Sequence, residues 1–239
     1  MIEVFEELAS TSGTLLERLA VNEAVPAGTW VVANRQTSGR GRQGRSWSDG
    51  FGNFMGSTFV ASQAGDPPLG TLALAAGLAV REAALKYLDP ETPVMLKWPN
   101  DLLINGAKLS GILLEGAPGG VVVGIGVNLA VAPDLPDRPT AALAQLGNCP
   151  DRDAFARDLA AALTEECDRW RTFGLEPLIR RWEAAAHPFG TMLRAGDGHD
   201  GTIEGAFAGL ATDGALQLRL ADGSLRAIHA GEINLKNGS

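Results

Sequence analysis

Hydrophobic and polar residues alternate in the first quarter of the chain in a pattern that predicts strands and one short helix. The hydroxyl side chains of residues 10–12 offer N-caps for that helix, whose apolar face carries Leu15 and Leu19. Residues 36–52 show no apolar period, and a loop of this length in a compact domain is usually functional or disordered. The predicted elements are a strand at 2–8, the helix at about 13–21, and strands at 29–34 and 53–62.

The middle of the chain predicts one buried helix, several short strands and two further helices. Residues 69–88 begin with a long apolar run, which predicts a central helix. Apolar residues then recur at spacings of four and three, which predicts one helix with Phe155 and Trp170 and another with Trp182. Strands joined by glycine-containing turns are predicted between these helices, at 94–97, 102–104, 108–115 and 121–128.

Composition changes after His187–Pro188, where the chain becomes rich in glycine. Strand-length runs at 202–207, 215–220 and 225–228, separated by Asp-Gly turns, predict a small all-β unit of meander or barrel type. We therefore expect two domains, residues 1–188 and residues 189–239.

Composition and charge exclude several classes of protein. With 45% hydrophobic residues in 239, the chain can bury a core, and a net charge of −8 disfavours nucleic acid as a partner. No basic segment precedes an apolar run at the start, and the run 69–80 is too short to span a bilayer, so a secreted or membrane protein is not expected. Cys167 lies on a helical apolar stripe as a free thiol, and Cys149 has no metal-site spacing, so a reducing cytoplasm is expected.

The loop at 36–52 carries the first candidate chemistry. Gly39–Gly44 satisfies the pattern G-x-G-x-x-G, but the residues after it cannot start the helix that a dinucleotide-binding turn needs. No acidic residue occurs from 24 to 48, while arginine occupies four positions between 35 and 45. Arginine and glycine together suit a small phosphate or carboxylate, whereas RNA-binding arginine–glycine segments are longer and occur in basic proteins. Trp47 either stacks on a ligand ring or anchors the loop.

Two further groups of residues follow. Lys97-Trp98-Pro99-Asn100-Asp101 is either an ordinary turn or a site with a cation and a carboxylate in one cleft. In the next strand, alternation predicts that Leu109, Gly111 and Leu113 face away from Lys108, Ser110, Ile112 and Leu114. Gly111, Gly124 and Gly126 weaken their strands and favour a close approach of a ligand or of another backbone segment. Asn128 either binds an adenine edge or caps the following loop.

In this order the arginine–glycine loop, Lys-Trp-Pro-Asn-Asp, Lys-x-x-Gly-Ile-Leu and Gly-x-Gly-x-Asn resemble the biotin protein ligase family over almost the whole chain. The resemblance implies an α+β fold with a mixed, largely antiparallel sheet, packed helices and a small C-terminal SH3-like β-barrel. It also implies a two-step reaction, in which biotin and ATP with Mg²⁺ give biotinyl-5′-AMP and pyrophosphate, and a lysine of a biotin carboxyl carrier domain of acetyl-CoA carboxylase type then displaces AMP.

The resemblance also implies roles for individual residues. Those expected around biotin are Ser10, Thr11, Ser12, Gln36, Arg40, Gly41, Arg42, Lys108 and Gly111. Those expected around ATP and the adenylate are Arg40, Arg42, Arg45, Trp47, Lys97, Asn100 and Asn128. The expected catalytic residues are Lys108, Arg42 and Asp101, and Asp101 is also the candidate metal ligand.

Two departures from the family accompany these expectations. Ser12 stands where the family usually has asparagine. Some members carry an N-terminal helix-turn-helix domain that binds DNA, and this chain is expected to be a form without it that binds neither DNA nor membranes. A homodimer is left open.

Three other functions remain as alternatives. A lipoate–protein ligase shares the fold and the adenylating chemistry, but the arginine–glycine motif and the C-terminal β unit favour biotin. A non-enzymatic module that binds RNA or a phospholigand would bind in a salt-sensitive way without releasing pyrophosphate. A nicotinamide-dependent oxidoreductase is disfavoured by the missing helix after Gly44.

Overall fold

The computed structural model describes residues 1–147, 149–196 and 202–235. The larger of its two sheets has seven strands: β1 (Ile2–Leu8), β2 (Trp30–Gln36), β3 (Phe54–Ala61), β4 (Val94–Lys97), β5 (Asp101–Ile104), β6 (Ala107–Ala117) and β7 (Gly120–Val127). Their spatial order is β1-β2-β3-β7-β6-β5-β4, and β1–β2 is the parallel pair in an otherwise antiparallel sheet.

Helices cover both faces of this sheet, namely α1 (Thr11–Ala20), α2 (Leu72–Leu85), α3 (Arg152–Phe173) and α4 (Leu175–Ala184). On one face, Leu15 of α1 packs with Val31 and Val122. On the other face, α2, α3 and α4 form a larger core with Val32 and Val123. Consecutive valines therefore enter different cores, as expected for strands buried on both faces.

The helix boundaries differ slightly from those predicted, for local reasons. α1 begins at Thr11 because the Ser10 hydroxyl accepts a hydrogen bond from the Gly13 amide (3.2 Å) and acts as N-cap. α2 begins at Leu72, because Leu69–Thr71 forms a separate 3-10 turn. No helix in the described parts of the chain is long and apolar enough to cross a membrane.

The second sheet is antiparallel and has five strands: β8 (Met192–Gly196), β9 (Thr202–Leu210), β10 (Leu216–Arg219), β11 (Leu225–Ile228) and β12 (Glu232–Leu235). The sequence pattern predicted β9, β10 and β11 but missed β8 and β12, two short strands that pair with each other. With this sheet, the predicted α+β class is confirmed.

One continuous buried cluster joins the two sheets, since Leu193 and Leu216 belong to the same core as Leu96 and Trp182. The domain boundary at 188 therefore stays a prediction. Its C-terminal unit includes residues 197–201 and 236–239, which lie outside the described part of the chain.

The predicted alternation in β6 is wrong at its start. Leu102 of β5 pairs with Ser110, whereas Leu103 pairs with Lys108, so that Leu109 is an extra residue in a β-bulge. The bulge brings the Lys108 ammonium to the face of Gly111, where it lies 3.2 Å from the position of a built Cβ. Lys108 and Gly111 consequently share the face that simple alternation had separated.

We expect Phe155→Ala to lower the free energy of unfolding by about 3–5 kcal/mol, because it removes a fully buried ring from the core. The Phe155 ring lies 5.8 Å from that of Phe54 and 6.1 Å from that of Tyr87, and so links α3 to β3 and to the turn after α2. Urea titration measures the change. Phe173→Ala, at the exposed end of the same helix, is the control and should cost less than about 0.5 kcal/mol. Equal losses in the two variants would contradict this packing.

Candidate active site

A cavity of about 690 Å³ opens on the α1 face of the large sheet. It is lined by every residue for which the sequence analysis expected a biotin, ATP or catalytic role: Ser10, Thr11, Ser12, Gln36, Arg40, Gly41, Arg42, Arg45, Trp47, Lys97, Asn100, Asp101, Lys108, Gly111 and Asn128. These positions come from strand ends, a helix start and one loop. The sheet topology brings them together, while their individual roles stay predictions.

The floor of the cavity is made of glycines on two neighbouring strands. Gly111 of β6 pairs directly with Gly126 of β7, and the Trp47 indole lies on both. A Cβ built on Gly126 would be 2.2 Å from Trp47 Cε2, far inside contact distance. Trp47 thus anchors the arginine–glycine loop to the floor, which is the second of the two interpretations of this residue. Stacking on a ligand ring stays a prediction.

One corner of the cavity contains neutral polar groups. Thr11 and Ser12 open α1, and Gln36 ends β2 beside them. The Thr11 amide donates a hydrogen bond to Gln36 Oε1 (2.8 Å). Such a set of hydroxyl and amide groups suits an uncharged ring that both donates and accepts hydrogen bonds.

The arginines of the loop are each held by a group on another element. The contacts are Arg40 with Glu115 at 3.2 Å, Arg42 with Asn100 at 3.2 Å and Arg45 with Glu232 at 2.6 Å. A short β-bridge between Arg40 and Ser46 and a 3-10 turn at Arg42–Gly44 shape the loop itself. The predicted loop therefore has a defined conformation in which three guanidinium groups face one cavity.

The Lys-Trp-Pro-Asn-Asp segment is both a turn and part of the cavity wall. It joins β4 to β5, so that Lys97 and Asp101 lie directly opposite each other. Asp101 Oδ1 is 2.7 Å from Lys108 Nζ, and this ion pair is mostly buried. Asn100 donates to the Ile112 carbonyl (2.6 Å), which ties the turn to β6. A cation and a carboxylate therefore share the cleft, as the second interpretation of this segment had it.

Asn128 already uses its amide nitrogen within the protein. Nδ2 donates to the carbonyls of Ala141 (3.1 Å) and Lys108 (3.4 Å), and the residue is buried. The structure shows the loop-capping interaction, and contact with an adenine edge stays a prediction.

The sequence reasoning missed several cavity residues, and three of them make contacts that shape the site. Ser57 lies at the centre of β3, Arg138 lies in the proline-rich segment 131–139, and Glu232 opens the last strand. Glu232 accepts hydrogen bonds from Arg45 and also from Arg138 (2.9 Å). Arg45 and Glu232 are 187 positions apart, so no local pattern could have linked them. For Arg138, a lone arginine in an acidic, proline-rich segment was the available signal.

Burial and charge change the proton affinities of several cavity groups. Loss of water around Lys97 lowers the pKa of its ammonium, although Asp101 and Glu232 oppose this effect. Burial likewise lowers the pKa of the Arg42 guanidinium. The hydrogen bond from Arg45, assisted by Arg138, holds the pKa of Glu232 at about 2. Cations that have lost water in this way gain most from an anionic ligand.

No three carboxylate, imidazole or thiol groups of residues 1–147, 149–196 and 202–235 form a metal site by themselves. Asp101 lines the cavity, where its Oδ1 is paired with the Lys108 ammonium. A single such carboxylate is compatible with Mg²⁺, which is usually held by one or two carboxylates together with phosphate oxygens of a substrate.

Comparison with known proteins gives two matching family models. Residues 4–131 match the Biotin/lipoate A/B protein ligase family, and residues 193–236 match the Biotin protein ligase C terminal domain.

Similar individual proteins cover most of the chain. A biotin–[acetyl-CoA-carboxylase] ligase of Paracoccus denitrificans is 36% identical over 89% of this chain and 92% of its own length. The bifunctional ligase/repressor BirA of Bacillus subtilis is 32% identical over 97% of this chain and 73% of its own. The structure of a biotin protein ligase from Aquifex aeolicus in complex with biotin and ATP superposes with a TM-score of 0.84, at 27% identity and 99% coverage of both chains.

We expect Gly126→Ala to displace Trp47 from the floor and expose the arginine–glycine loop, because the new methyl group would overlap the indole. Trypsin should then cleave after Arg42 and Arg45 several-fold faster than in the parent protein, as followed by mass spectrometry. Gly116→Ala on β6 is the control, since a Cβ there meets no atom within 4 Å. Unchanged cleavage in Gly126→Ala would show that the indole does not hold the loop.

We expect Glu232→Gln to lower the free energy of unfolding at pH 7 by about 1–2 kcal/mol, a value reduced for the solvent exposure of Arg45. Because the pKa of Glu232 is depressed, its stabilising effect is complete above about pH 4.5 and is lost as the pH falls toward 2. Urea titrations at pH 7, 4 and 3 test this. Glu176→Gln, at an exposed helical position, is the control. The same pH dependence in Glu232→Gln and the parent would rule out this contribution.

Proposed function

The chain belongs to the biotin/lipoate A/B protein ligase family, and from that premise we propose the reaction that its cavity performs. The protein is an ATP-dependent ligase that converts biotin to biotinyl-5′-AMP and transfers biotin to a lysine of a carrier domain of acetyl-CoA carboxylase. The observation that carries this function is one cavity with a neutral hydroxyl–amide corner and a wall of cations on a common glycine floor.

The first step joins two anions, and the cations of the cavity make that encounter favourable. A carboxylate oxygen of biotin attacks the α-phosphorus of ATP, a phosphorus–oxygen bond breaks, and pyrophosphate leaves. Lys108 binds the carboxylate and then the adenylate oxygens, while Arg40, Arg42 and Arg45 bind the triphosphate. Positively charged groups fixed in advance stabilise the charge that develops on the phosphoryl oxygens.

The second step forms an amide bond. The neutral amine of the acceptor lysine attacks the carbonyl carbon of the mixed anhydride, AMP leaves with the bonding electron pair, and the nitrogen loses a proton. We assign Asp101 a place near this nitrogen or near the metal ion, because its carboxylate lies at the cavity wall beside Lys108. Lys97 is assigned to phosphate oxygens, and Trp47 holds the arginine–glycine loop beside the site, where the loop limits the access of water.

Mg²⁺ is part of the proposal as the ion that accompanies the triphosphate and neutralises part of its charge. Asp101 would be its protein ligand in this scheme, because its carboxylate lies in the cavity wall. The rest of the coordination shell would come from phosphate oxygens and water.

Biotin is favoured over lipoate by the neutral corner. The ureido ring of biotin carries two N–H donors and a carbonyl acceptor, whereas the dithiolane ring of lipoate offers none of these. A dithiolane ring would cover this polar corner without making hydrogen bonds to it, which disfavours lipoate. Ser10, Thr11 and Gln36 are therefore assigned to the ureido ring.

The family and the charge of the chain also bear on its partners and its location. The acceptor is a biotin carboxyl carrier protein or domain, and DNA is left out because the net charge of −8 repels a polyanion. Cytoplasmic location agrees with the buried free thiol of Cys167, whose pKa burial raises to about 11.

The experiment that tests the function is release of pyrophosphate from ATP and Mg²⁺ in the presence of biotin, lipoate or neither acid. Label transfer to a biotin carrier domain is followed in the same reaction. Biotin-dependent release followed by labelling of one lysine is the expected result. Release with lipoate alone would change the substrate, and no release by the folded protein would overturn the ligase function.

We expect Arg42→Ala to release the adenylate about tenfold faster than the parent while the fold is retained, because one partly buried cation that faces the intermediate is lost. Rapid filtration of enzyme loaded with ATP labelled in the α-phosphate measures retention. Arg35→Ala is the matched control, since Arg35 is exposed and pairs with Asp49 outside the cavity lining. Retention at the parent level in Arg42→Ala would contradict the assignment.

A further inference from the structure

Ser57 lies at the centre of the large sheet, beneath the neutral corner of the cavity. Ser57 is fully buried, and it pairs with Val31 on β2 and with Gly124 on β7. Ser57 Oγ is 2.7 Å from Thr11 Oγ1 and 2.9 Å from Ser12 Oγ. A single hydroxyl of the sheet therefore joins the first two side chains of α1.

The hydroxyl groups of this corner form one chain, and the acceptor to which Thr11 gives its proton sets the direction of that chain. Gln36 Oε1 is an acceptor, and it lies 2.8 Å from the Thr11 amide nitrogen and 3.2 Å from Thr11 Oγ1. The carboxamide cannot be flipped, because its NH₂ group would then face the Thr11 N–H. Gln36 Oε1 carries no proton, so its contact with the Thr11 hydroxyl is a hydrogen bond only when Thr11 is the donor; the Thr11 oxygen then accepts the proton of Ser57. Ser57 in turn accepts the proton of Ser12.

This direction decides what Ser12 offers to a ligand. With its proton committed to Ser57, the Ser12 oxygen has only lone pairs available toward the cavity. This oxygen occupies space that glycine leaves open at position 124, since a Cβ built there would be 2.6 Å from it. A group with an N–H donor is matched at this point, and a group with a lone pair there is repelled.

We propose that Ser57 is a positioning residue for substrate specificity, which orients the Ser12 hydroxyl so that it accepts a hydrogen bond from a ring N–H of the substrate. The inference rests on the proposed function, because the ring N–H is that of the ureido group. Ser57 does not touch the reacting atoms. It acts through Ser12, and its effect is on which ring is accepted.

The test uses ligands that differ from biotin at one position. In two cyclic carbamates, a ring oxygen replaces one or the other ureido N–H with little change of shape. Dissociation constants for biotin and each carbamate are measured by calorimetry for the parent, Ser57→Ala and Ser12→Ala. Thr58→Val is the control. It removes a buried hydroxyl from the same strand, but that hydroxyl donates to the Thr29 carbonyl and lies outside the cavity lining.

The parent and Thr58→Val should bind one carbamate much more weakly than biotin. In Ser57→Ala, Ser12 regains a free proton and can donate it to the ring oxygen, so the ratio of the two dissociation constants should fall about tenfold. A merely structural role for Ser57 would weaken both ligands equally and leave the ratio unchanged, which would overturn the inference.

Ser12→Ala gives an independent decision if Ser57→Ala does not fold. Removal of the acceptor should reduce the same ratio for the same carbamate, whereas the full ratio in Ser12→Ala would overturn the inference. Failure of the parent protein to bind biotin would contradict the proposed function itself. Biotin binding with no discrimination against either carbamate would contradict only the role of Ser57 and Ser12.

Discussion

The site depends on a part of the large sheet where glycines leave one face without side chains. These glycines are Gly124 and Gly126 of β7 and Gly111 of β6. α1 can therefore start directly over Gly124, and the loop can lay Trp47 across the other two glycines. Valine at the preceding position of the same face, Val122, belongs instead to the core under α1. A change from valine to glycine along one strand thus marks where packing ends and the cavity begins.

The second constraint is electrostatic, because several arginine and lysine side chains must lie close together in the cavity before any anionic ligand is bound. In this structure the cavity cations are held by carboxylates and amides of the protein itself, such as Asp101 for Lys108 and Glu232 for Arg45. These partners reduce repulsion among the cations and fix their positions. A substrate with a carboxylate and a triphosphate supplies the same kind of charge, so it can replace protein contacts without a large rearrangement. An acidic protein can in this way maintain a strongly cationic cavity.

Much of the site could be predicted because its motifs are local. The arginine–glycine loop and the Lys-Trp-Pro-Asn-Asp turn each carry several cavity groups within a few positions, so their composition alone indicated anion chemistry. The order of strands and helices could also be predicted from the sequence, since α2 and β7 are almost continuously apolar. What failed were features set by pairing with distant strands. The bulge at Leu109 arises from the register of β5 and β6, and it reversed the predicted side of Lys108.

Glu232 shows why the remaining part could not be predicted. It begins a four-residue strand of the second sheet, yet it binds Arg45 of the loop and Arg138 of the proline-rich segment. Neither arginine has a local reason to adopt that position, because each lies in an irregular segment. Their placement requires β12 to be paired with β8, and therefore requires the second sheet to be folded. The cationic wall is consequently a tertiary feature of the whole chain, while the glycine floor and the neutral corner belong to the large sheet and α1 alone.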